Sequence, residues 1–469
     1  MKKTIIGSII LLITATLFAQ ESGVQSFTQK EAVDYALKNN HDAKNAKLDM
    51  QKAKAFNWEI MTQGLPQVNG SFEYDYYFKT PQVPAVSGIF SASSPFGQSL
   101  SQLRQNSNDP ALINTLNSIG SGFGNISFVL PNDISTGLTV TQLLFDARYM
   151  FGIQARKELY LTSRLQSDLT DQEIRYNIIK AYNQAETAQE AKSLLQDNMK
   201  IIDKLLSDTR AVFAQGLTED LDVTRLELAQ ANLQSQITMQ NNMGDVALAN
   251  LKFQMGVPLN AVIILKDKLD DLKSNAVPQE NKFDAQNRVE YQLLTTGITL
   301  KGYDVAQKRS GYYPTLAGFL NYSGNVQTQA FGDMFKASNW YPQGIIGLKL
   351  NVPIFDSGLK MMQVKQTKLE QMKLKNDFEN FKNAAQLQYQ SAQSTYSAAL
   401  ADEANAQKAL DLSKKIFDKN QIKFKAGAGS SFELQQTEQE FTTNQLKHVQ
   451  SVMSLLNAKA DLDKAMGVK

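Results

Sequence analysis

The chain has 469 residues, with 48 Lys and Arg against 46 Asp and Glu, no cysteine, and only His41 and His448 as histidines. The near-balanced charge gives no reason to expect a nucleic-acid partner. The missing Cys and scarce His remove disulfides, thiol redox, thiolate metal sites and most imidazole acid–base chemistry.

Lys2 and Lys3 precede the apolar run 5–18, which ends at Ala19-Gln20. That order of basic start, short apolar centre and small residue predicts a secretory signal peptide over 1–19. The run is shorter than the ~20 residues that span a bilayer, and no Cys follows the cut to carry a lipid anchor. No later stretch is apolar enough for a transmembrane helix, so any membrane spanning falls to strands.

Alanines and Leu48 among polar residues predict a helix over 27–63, stopped by Gly64-Leu65-Pro66. The following 67–79 alternates, with Val68, Phe72, Tyr74, Tyr76 and Phe78 on one face and Asn69, Ser71, Glu73, Asp75 and Tyr77 on the other. Alternation with this aromatic density predicts a membrane strand with an apolar outside and a polar inside. Residues 79–132 are rich in Ser, Gly, Asn and Pro and read as a long loop. Gly120, Gly122 and Gly124 within it lack the strand and helix that a phosphate-binding loop needs. A second strand is predicted at 134–145, then a helix at 147–215.

That helix carries Ile174, Ala181, Ala188, Leu195 and Ile202 at heptad spacing, with Ile178, Ala185, Met199, Leu206 and Phe213 between them, and Lys192 as the interruption. This is a coiled-coil seam, and about 69 residues of helix span roughly 100 Å. Gly216 turns the chain into a return helix at 218–255, closed by Gly256-Val257-Pro258. Residues 258–286 read as a linker containing Pro278.

The plan then restarts: a helix at 287–309, Pro314, a strand at 315–325, a short loop with Trp340 and Tyr341, and a strand at 345–355. A long helix at 357–425 carries Phe378, Ala385, Ala392, Ala399 and Ala406 at heptad spacing, with Tyr389, Tyr396, Leu410, Phe417 and Phe424 between. A return helix at 430–466 follows. The stretch GLTVTQLLFD at 137–146 returns as GLKLNVPIFD at 347–356, an offset of 210, and Gly216, Asp222, Glu227, Met255 and Gly256 match Gly427, Glu433, Glu438, Met466 and Gly467 at 211. We read the chain as an internal duplication, 21–257 and 287–469. Leu138, Val140, Leu144, Leu348, Leu350, Val352 and Ile354 are expected to face lipid. Tyr76, Phe78, Trp340 and Tyr341 suit an interfacial aromatic belt, and Trp58 is expected to pack near the junction of strands and helices.

Four strands cannot close a barrel, which needs at least eight, so several copies must share one. The order of helix, Pro, strand, loop, strand, Phe-Asp, long helix, Gly and return helix, twice, with a terminal Met-Gly-Val, resembles the TolC-type outer membrane efflux protein family over nearly the whole mature chain. The resemblance implies a homotrimer, four strands per chain in a shared 12-stranded outer-membrane β-barrel, and a periplasmic α-helical coiled-coil barrel. It also implies a passive exit duct of a tripartite efflux pump or type I secretion system, with a periplasmic adaptor (membrane fusion protein) and an inner-membrane RND or ABC transporter as partners. Outer membrane lipid would surround the barrel, and neither enzymatic activity nor a cofactor is implied.

Carried over to this chain, the adaptor-docking hairpin tips would be Gly216, Leu217 and Thr218 with Gly427, Ala428 and Gly429. Gly427-Ala428-Gly429 departs from the usual Gly-Leu and is expected to give a more pliant turn. The pore constriction would involve Glu433 and Gln436, only the first of them acidic, with Asp222 as the first-copy equivalent that ties helices together when closed. Three Glu433 carboxyls around an axis would favour cations and raise one another's pKa. The barrel–tunnel junction would lie at Pro66, Phe145, Asp146, Pro314, Phe355 and Asp356. His41 and His448 are not expected to form a metal pair. The competing reading is a soluble periplasmic coiled-coil adaptor or scaffold. It accounts for the helices but not for paired strands with apolar outer faces.

Overall fold

The computed structural model describes residues 25–81, 94–121, 129–274, 276 and 283–468. The expected signal peptide, Gly122 and Gly124 of the loop, and Pro278 of the linker lie outside them. In chain order the elements are β1 (Gln25–Phe27), α1 (Gln29–Asn39), α2 (His41–Thr62), β2 (Gln67–Tyr76), α3 (Pro95–Asn106), α4 (Pro110–Ser121), β3 (Asn132–Phe145) and α5 (Ala147–Ala214). They continue as α6 (Asp220–Met255), β4 (Ile263–Leu265), α7 (Leu269–Ser274), α8 (Val289–Ser310), β5 (Thr315–Thr328), β6 (Tyr341–Asn351), α9 (Leu359–Lys425) and α10 (Ser431–Met466). Short 3-10 turns stand at Ala285–Asn287, Phe331–Phe335 and Ala337–Asn339. Among the described residues no helix is long and apolar enough to cross a membrane.

The chain divides into two compact units that do not follow its sequence halves: 1–55, 157–301 and 369–469 form one, and 56–156 with 302–368 the other. The first unit is helical, and its core is the seam that heptad spacing predicts. Ile174, Ile178, Ala181, Ala185, Leu195, Ile202 and Leu206 of α5 are all buried. Around Leu195 and Ile202 they meet Leu226, Ala229, Leu233 and Ile237 of α6, Phe417 of α9, and Leu434 and Phe441 of α10. Phe417 and Phe441 stack with ring centroids 5.5 Å apart. Small residues in the seam let the helix backbones approach, and the apolar area removed from water holds them together.

Three segments of this unit differ from the sequence reading. The helix expected over 27–63 breaks at Asn40. There the Asn40 Nδ2 donates to the Gln254 carbonyl (2.6 Å) and its Oδ1 accepts from the Asp42 N–H (2.7 Å), so one amide serves both a distant helix end and the start of α2. Phe27 belongs to β1, which pairs in parallel with β4. The linker at 258–286 is accordingly not featureless: it supplies β4 and α7, which bury Ile263, Leu265, Leu269 and Leu272 in the core.

The second unit is built on one antiparallel sheet, β2-β3-β5-β6. Paired residues share a face, so the register sorts the side chains. Val68, Phe72 and Tyr74 of β2 lie opposite Val140, Thr136 and Ile134. Leu138 and Val140 lie opposite Tyr322 and Leu320. Leu320, Gly318 and Leu316 lie opposite Ile346, Leu348 and Leu350. The other face carries Asn69, Ser71, Glu73 and Asp75, then Asp133, Ser135, Thr139 and Thr141, then Asn321, Ser323, Asn325 and Gln327. One side is an apolar and aromatic surface; the other is mainly polar, with Phe319, Tyr341 and Ile345 among its side chains. A bulge between Leu143 and Phe145 shifts the register at the end of β3, where Phe145 pairs with Leu316. A Cβ on Gly318 would lie 3.5 Å from Leu144 and 3.7 Å from Leu348, which places Leu144 over the apolar face.

Within this unit the sequence reading needs further corrections. The strand expected at 67–79 stops at Tyr76, where its partner strand begins at Asn132. The strand expected at 345–355 runs over Tyr341–Asn351, because β5 starts at Thr315 opposite Asn351 and Pro353 has no N–H to extend the ladder. Val352 and Ile354 therefore follow the strand rather than belonging to it. The loop expected over 79–132 contains α3 and α4. Both start on recognisable signals: Ser94 caps Gly97 N–H (2.9 Å) ahead of Pro95, and Asp109 accepts from Ala111 N–H (2.9 Å) ahead of Pro110. Trp340 folds over Gly324 on the apolar face and donates its indole N–H to the Met334 carbonyl (2.9 Å), beside Ile134 and Val326.

Candidate functional site

Both helix hairpins end in the same local chemistry. At the first, Gly216 takes φ +72° and donates to Phe213 O (2.8 Å) while Leu217 donates to Val212 O (3.2 Å). At the second, Gly427 takes φ +70°, with Gly427 to Phe424 O (3.0 Å) and Ala428 to Lys423 O (3.0 Å). This paired bonding satisfies the last carbonyls of α5 and α9. Nothing stands within 4 Å of a Cβ at Gly216 or Gly427, so both are glycines for their backbone angle alone. Gly429 is different: its Cβ would meet the Phe424 backbone nitrogen at 3.0 Å. Close approach, rather than the pliancy expected from its sequence, explains that glycine. Leu217 leaves 73% of its surface exposed at the first tip, and Thr218 is occupied with Asp222.

Thr218 Oγ1 donates to Asp222 Oδ2 at 2.6 Å. The Ser431 hydroxyl, at the start of α10, also favours the ionised Asp222 carboxylate. Desolvation opposes ionisation of Asp222, but the Ser431 and Thr218 hydroxyls, with Arg225 nearby, hold its pKa below the ordinary value. Arg225 Nη1 donates to the same Ser431 oxygen (3.1 Å), and its guanidinium lies 5.5 Å from the Phe432 ring centroid. Ser431 is fully buried. The start of α6 is thus pinned to the start of α10 by a carboxylate, two hydroxyls and an arginine.

Glu433 and Gln436 behave otherwise. Both are exposed on α10, one turn apart and so on one face. Glu433 uses its backbone locally, donating its N–H to the Ser430 cap (3.2 Å) and accepting at its carbonyl from Thr437 Oγ1 (2.9 Å). Asp222, by contrast, is turned into the seam between α6 and α10, so the three constriction candidates do not share one surface. Farther along α10, Glu438 is buried and accepts from Thr442 (2.9 Å), whose oxygen takes a bond from Asn198 Nδ2 of α5 (2.9 Å). Burial raises its pKa.

At the strand–helix joints, Pro66 and Pro314 each precede the first residue of a strand, Gln67 and Thr315. Asp146 accepts from Arg148 N–H (2.7 Å) and pairs with its guanidinium (2.7 Å). Asp356 accepts from Gly358 and Lys360 N–H (both 3.1 Å) and pairs with Lys360 Nζ (2.9 Å). Carboxylates at helix starts satisfy free N–H groups and suit the positive end of the helix dipole. Phe145 closes β3, whereas Phe355 stands four residues beyond β6 with 87% of its surface exposed. The two Phe-Asp pairs are therefore not placed alike relative to their strands.

Sequence reasoning did not single out three buried polar groups. Glu403 accepts from Lys273 Nζ and lies 3.3 Å from His448 Nε2, joining α7, α9 and α10. Tyr182 is fully buried on α5 and donates to Phe27 O (2.9 Å). Glu186, one turn on, is 4% exposed. A polar residue at a heptad-adjacent position was the available signal for the last two.

Residues 297–468 match the family model described as outer membrane efflux protein. Among curated proteins the chain is 21% identical over 258 residues to the proteases secretion protein PrtF of Dickeya chrysanthemi, covering 53% of this chain and 54% of that one. It is 25% identical over 257 residues to the outer membrane protein TolC of Salmonella enteritidis, covering 52% and 51%. The chain thus spans about half the length of the curated relatives it matches. Among solved structures it resembles CusC, described for its transmembrane channel formation, with TM-score 0.69 and 15% identity over 94% of this chain and 92% of the other. These similarities point to the outer membrane, with a periplasmic extension, as the location. The chain therefore has the fold of the outer membrane channels it resembles, and its residues 297–468 are similar to the outer membrane efflux protein family.

Proposed function

We propose that the chain is the outer-membrane exit duct of a tripartite efflux pump or type I secretion system. The observation that carries the reading is the four-stranded sheet, apolar on one face, polar on the other, with β2 and β6 unpaired along their outer edges. Open edges cannot sit in lipid. Three copies would pair β2 of each chain with β6 of the next into a closed barrel of twelve strands, its polar face lining the lumen and its apolar face meeting lipid. The offsets of 210 and 211 between matching motifs support an internally duplicated chain, with each half giving two strands and one hairpin.

Conduction in such a duct is passive. Energy would come from an inner-membrane RND or ABC transporter, linked by a periplasmic adaptor that seats on the hairpin tips at Gly216-Leu217-Thr218 and Gly427-Ala428-Gly429. The exposed Leu217 would give the adaptor an apolar contact. Asp222, Thr218, Arg225 and Ser431 would hold the tips together at rest, and the exposed Glu433 and Gln436 would line the narrow point. Reconstitution into planar bilayers tests this. Discrete conductance with cation preference, weakened in Glu433→Gln, is the expected result. Unchanged selectivity would remove Glu433 from the constriction, and release of the protein from membranes by carbonate would favour a soluble periplasmic coiled-coil scaffold over the duct.

A further inference from the structure

Glu186 has no structural partner that explains an ionised carboxylate at its position. It is 4% exposed on the core side of α5, and its Oε2 is buried with no hydrogen-bond partner. The charged groups acting on it are both negative: Glu190 from its own helix and Asp267 from the segment after β4. The phenol of Tyr182, one turn back, donates to Phe27 O at 2.9 Å and accepts from Asp267 N–H at 3.3 Å. The cation next to Asp267 in sequence, Lys266, pairs with Glu31 instead (3.1 Å). The amides of Gln29 from α1 and Asn457 from α10 are both engaged with Asn183 (2.8 and 3.3 Å), and Lys30 of α1 and Lys459 of α10 line a cavity shared with Asp267, where Lys459 is paired with Asp463.

Asp267 is also the residue that seats the β1–β4 pair. Its Oδ2 accepts from Gln29 N–H at 2.6 Å, at the start of α1. Burying a carboxylate beside two like charges without a donor strongly favours its neutral form. Burial, reinforced by Glu190 and Asp267, pushes the Glu186 pKa up to about 7. A neutral carboxyl gives its second oxygen a donor hydrogen, which a neighbouring carboxylate or phenol can accept.

We propose that Glu186 is a proton-operated latch between α5 and the β1–β4 pair, closed when its carboxyl is neutral and loosened when it ionises against Asp267 and Glu190. Ionisation adds a third negative charge beside Glu190 and Asp267 with no cation paired to Glu186 itself, and the least costly relief is to move the Asp267 segment outward and admit water. Because β1, β4 and the start of α1 are joined through Phe27, Asp267 and Gln29, they would open as one group.

Amide hydrogen exchange on the full-length protein in detergent micelles, corrected for the intrinsic pH dependence, reads the latch directly. In the wild type, peptides covering 25–29 and 263–267 are expected to lose protection at least tenfold between pH 6 and pH 8, while the α5–α6 seam around Leu226 stays constant. Glu186→Gln should abolish that change. Glu190→Gln removes one of the two like charges, so Glu186 should ionise more easily and the opening midpoint should move to lower pH. Equal pH profiles in wild type and Glu186→Gln would overturn the proposal. Should Glu186→Gln fail to fold, an unmoved midpoint in Glu190→Gln would overturn it instead.

Discussion

Gly216 and Gly256 share a left-handed backbone, φ +72° and +73°, but not their surroundings. A Cβ at Gly216 meets nothing, whereas at Gly256 it would lie 2.7 Å from the Asn39 carbonyl oxygen, a backbone atom that cannot swing aside. Gly216→Ala is therefore expected to cost only the left-handed penalty of about 1–2 kcal/mol. Gly256→Ala adds the displacement of the α1–α2 joint and should cost visibly more. Thermal unfolding of the two variants in the same detergent checks the order, and equal losses would contradict the close approach. The acids give the pH prediction. Glu186 binds its proton more tightly folded than unfolded, so its burial costs nothing below about pH 4.5 and costs increasingly as pH rises through about 7. The full cost above that range is roughly 3 kcal/mol. Glu438, also raised by burial, adds to the same slope. Glu186→Gln should unfold like the wild type at pH 4.5 and be the more stable protein at pH 8.

At the scale of elements, the two faces of the sheet make opposite predictions. Ile346 lies on the apolar face with 83% of its side exposed, while Asn321 lies on the polar face and donates to Thr139 Oγ1 (2.9 Å). Ile346→Arg should cost about 2–4 kcal/mol in a bilayer and lower the amount found in the outer membrane. Asn321→Arg should insert normally and reduce conductance. The reverse pattern would exchange the faces. Between α6 and α10, Asp222→Ala removes the acceptor of Thr218 and the charge that Ser431 and Arg225 stabilise. If this contact holds the tips at rest, the variant should conduct more often in planar bilayers without an adaptor, and Ser431→Ala should do the same.

At the scale of the whole molecule, the proposed barrel closes the open edges of β2 and β6 with other copies of the chain. Chemical cross-linking in membranes is expected to give a ladder that stops at three copies. A ladder ending at two would leave eight strands per barrel and contradict the twelve-stranded reading. Much of the plan was legible in the sequence because it is written in local periodicity. Alternation from Val68 to Tyr76 and from Leu138 to Val140 assigns faces, and heptad spacing from Ile174 to Ile202 assigns the seam, before any contact is known. Gly216 and Gly427 likewise announce their turns, since only the backbone angle of one residue is involved.

What the sequence could not determine depends on residues far apart along the chain. The pairing of β1 with β4 and the bond from Gln29 to Asp267 join positions 238 residues apart, and no local pattern records such a meeting. The same holds for Asn40 reaching Gln254, for Asp222 turning toward Ser431, and for the end of β6 at Asn351, set by where β5 begins. The sequence by itself determined which faces are apolar and where the chain turns, because propensity and periodicity act within a few residues. Only the tertiary structure decided which of those faces and turns meet, and with them which carboxylates, Asp222 and Glu186 above all, are stabilised or isolated. Burial and partner supply are properties of the assembled core.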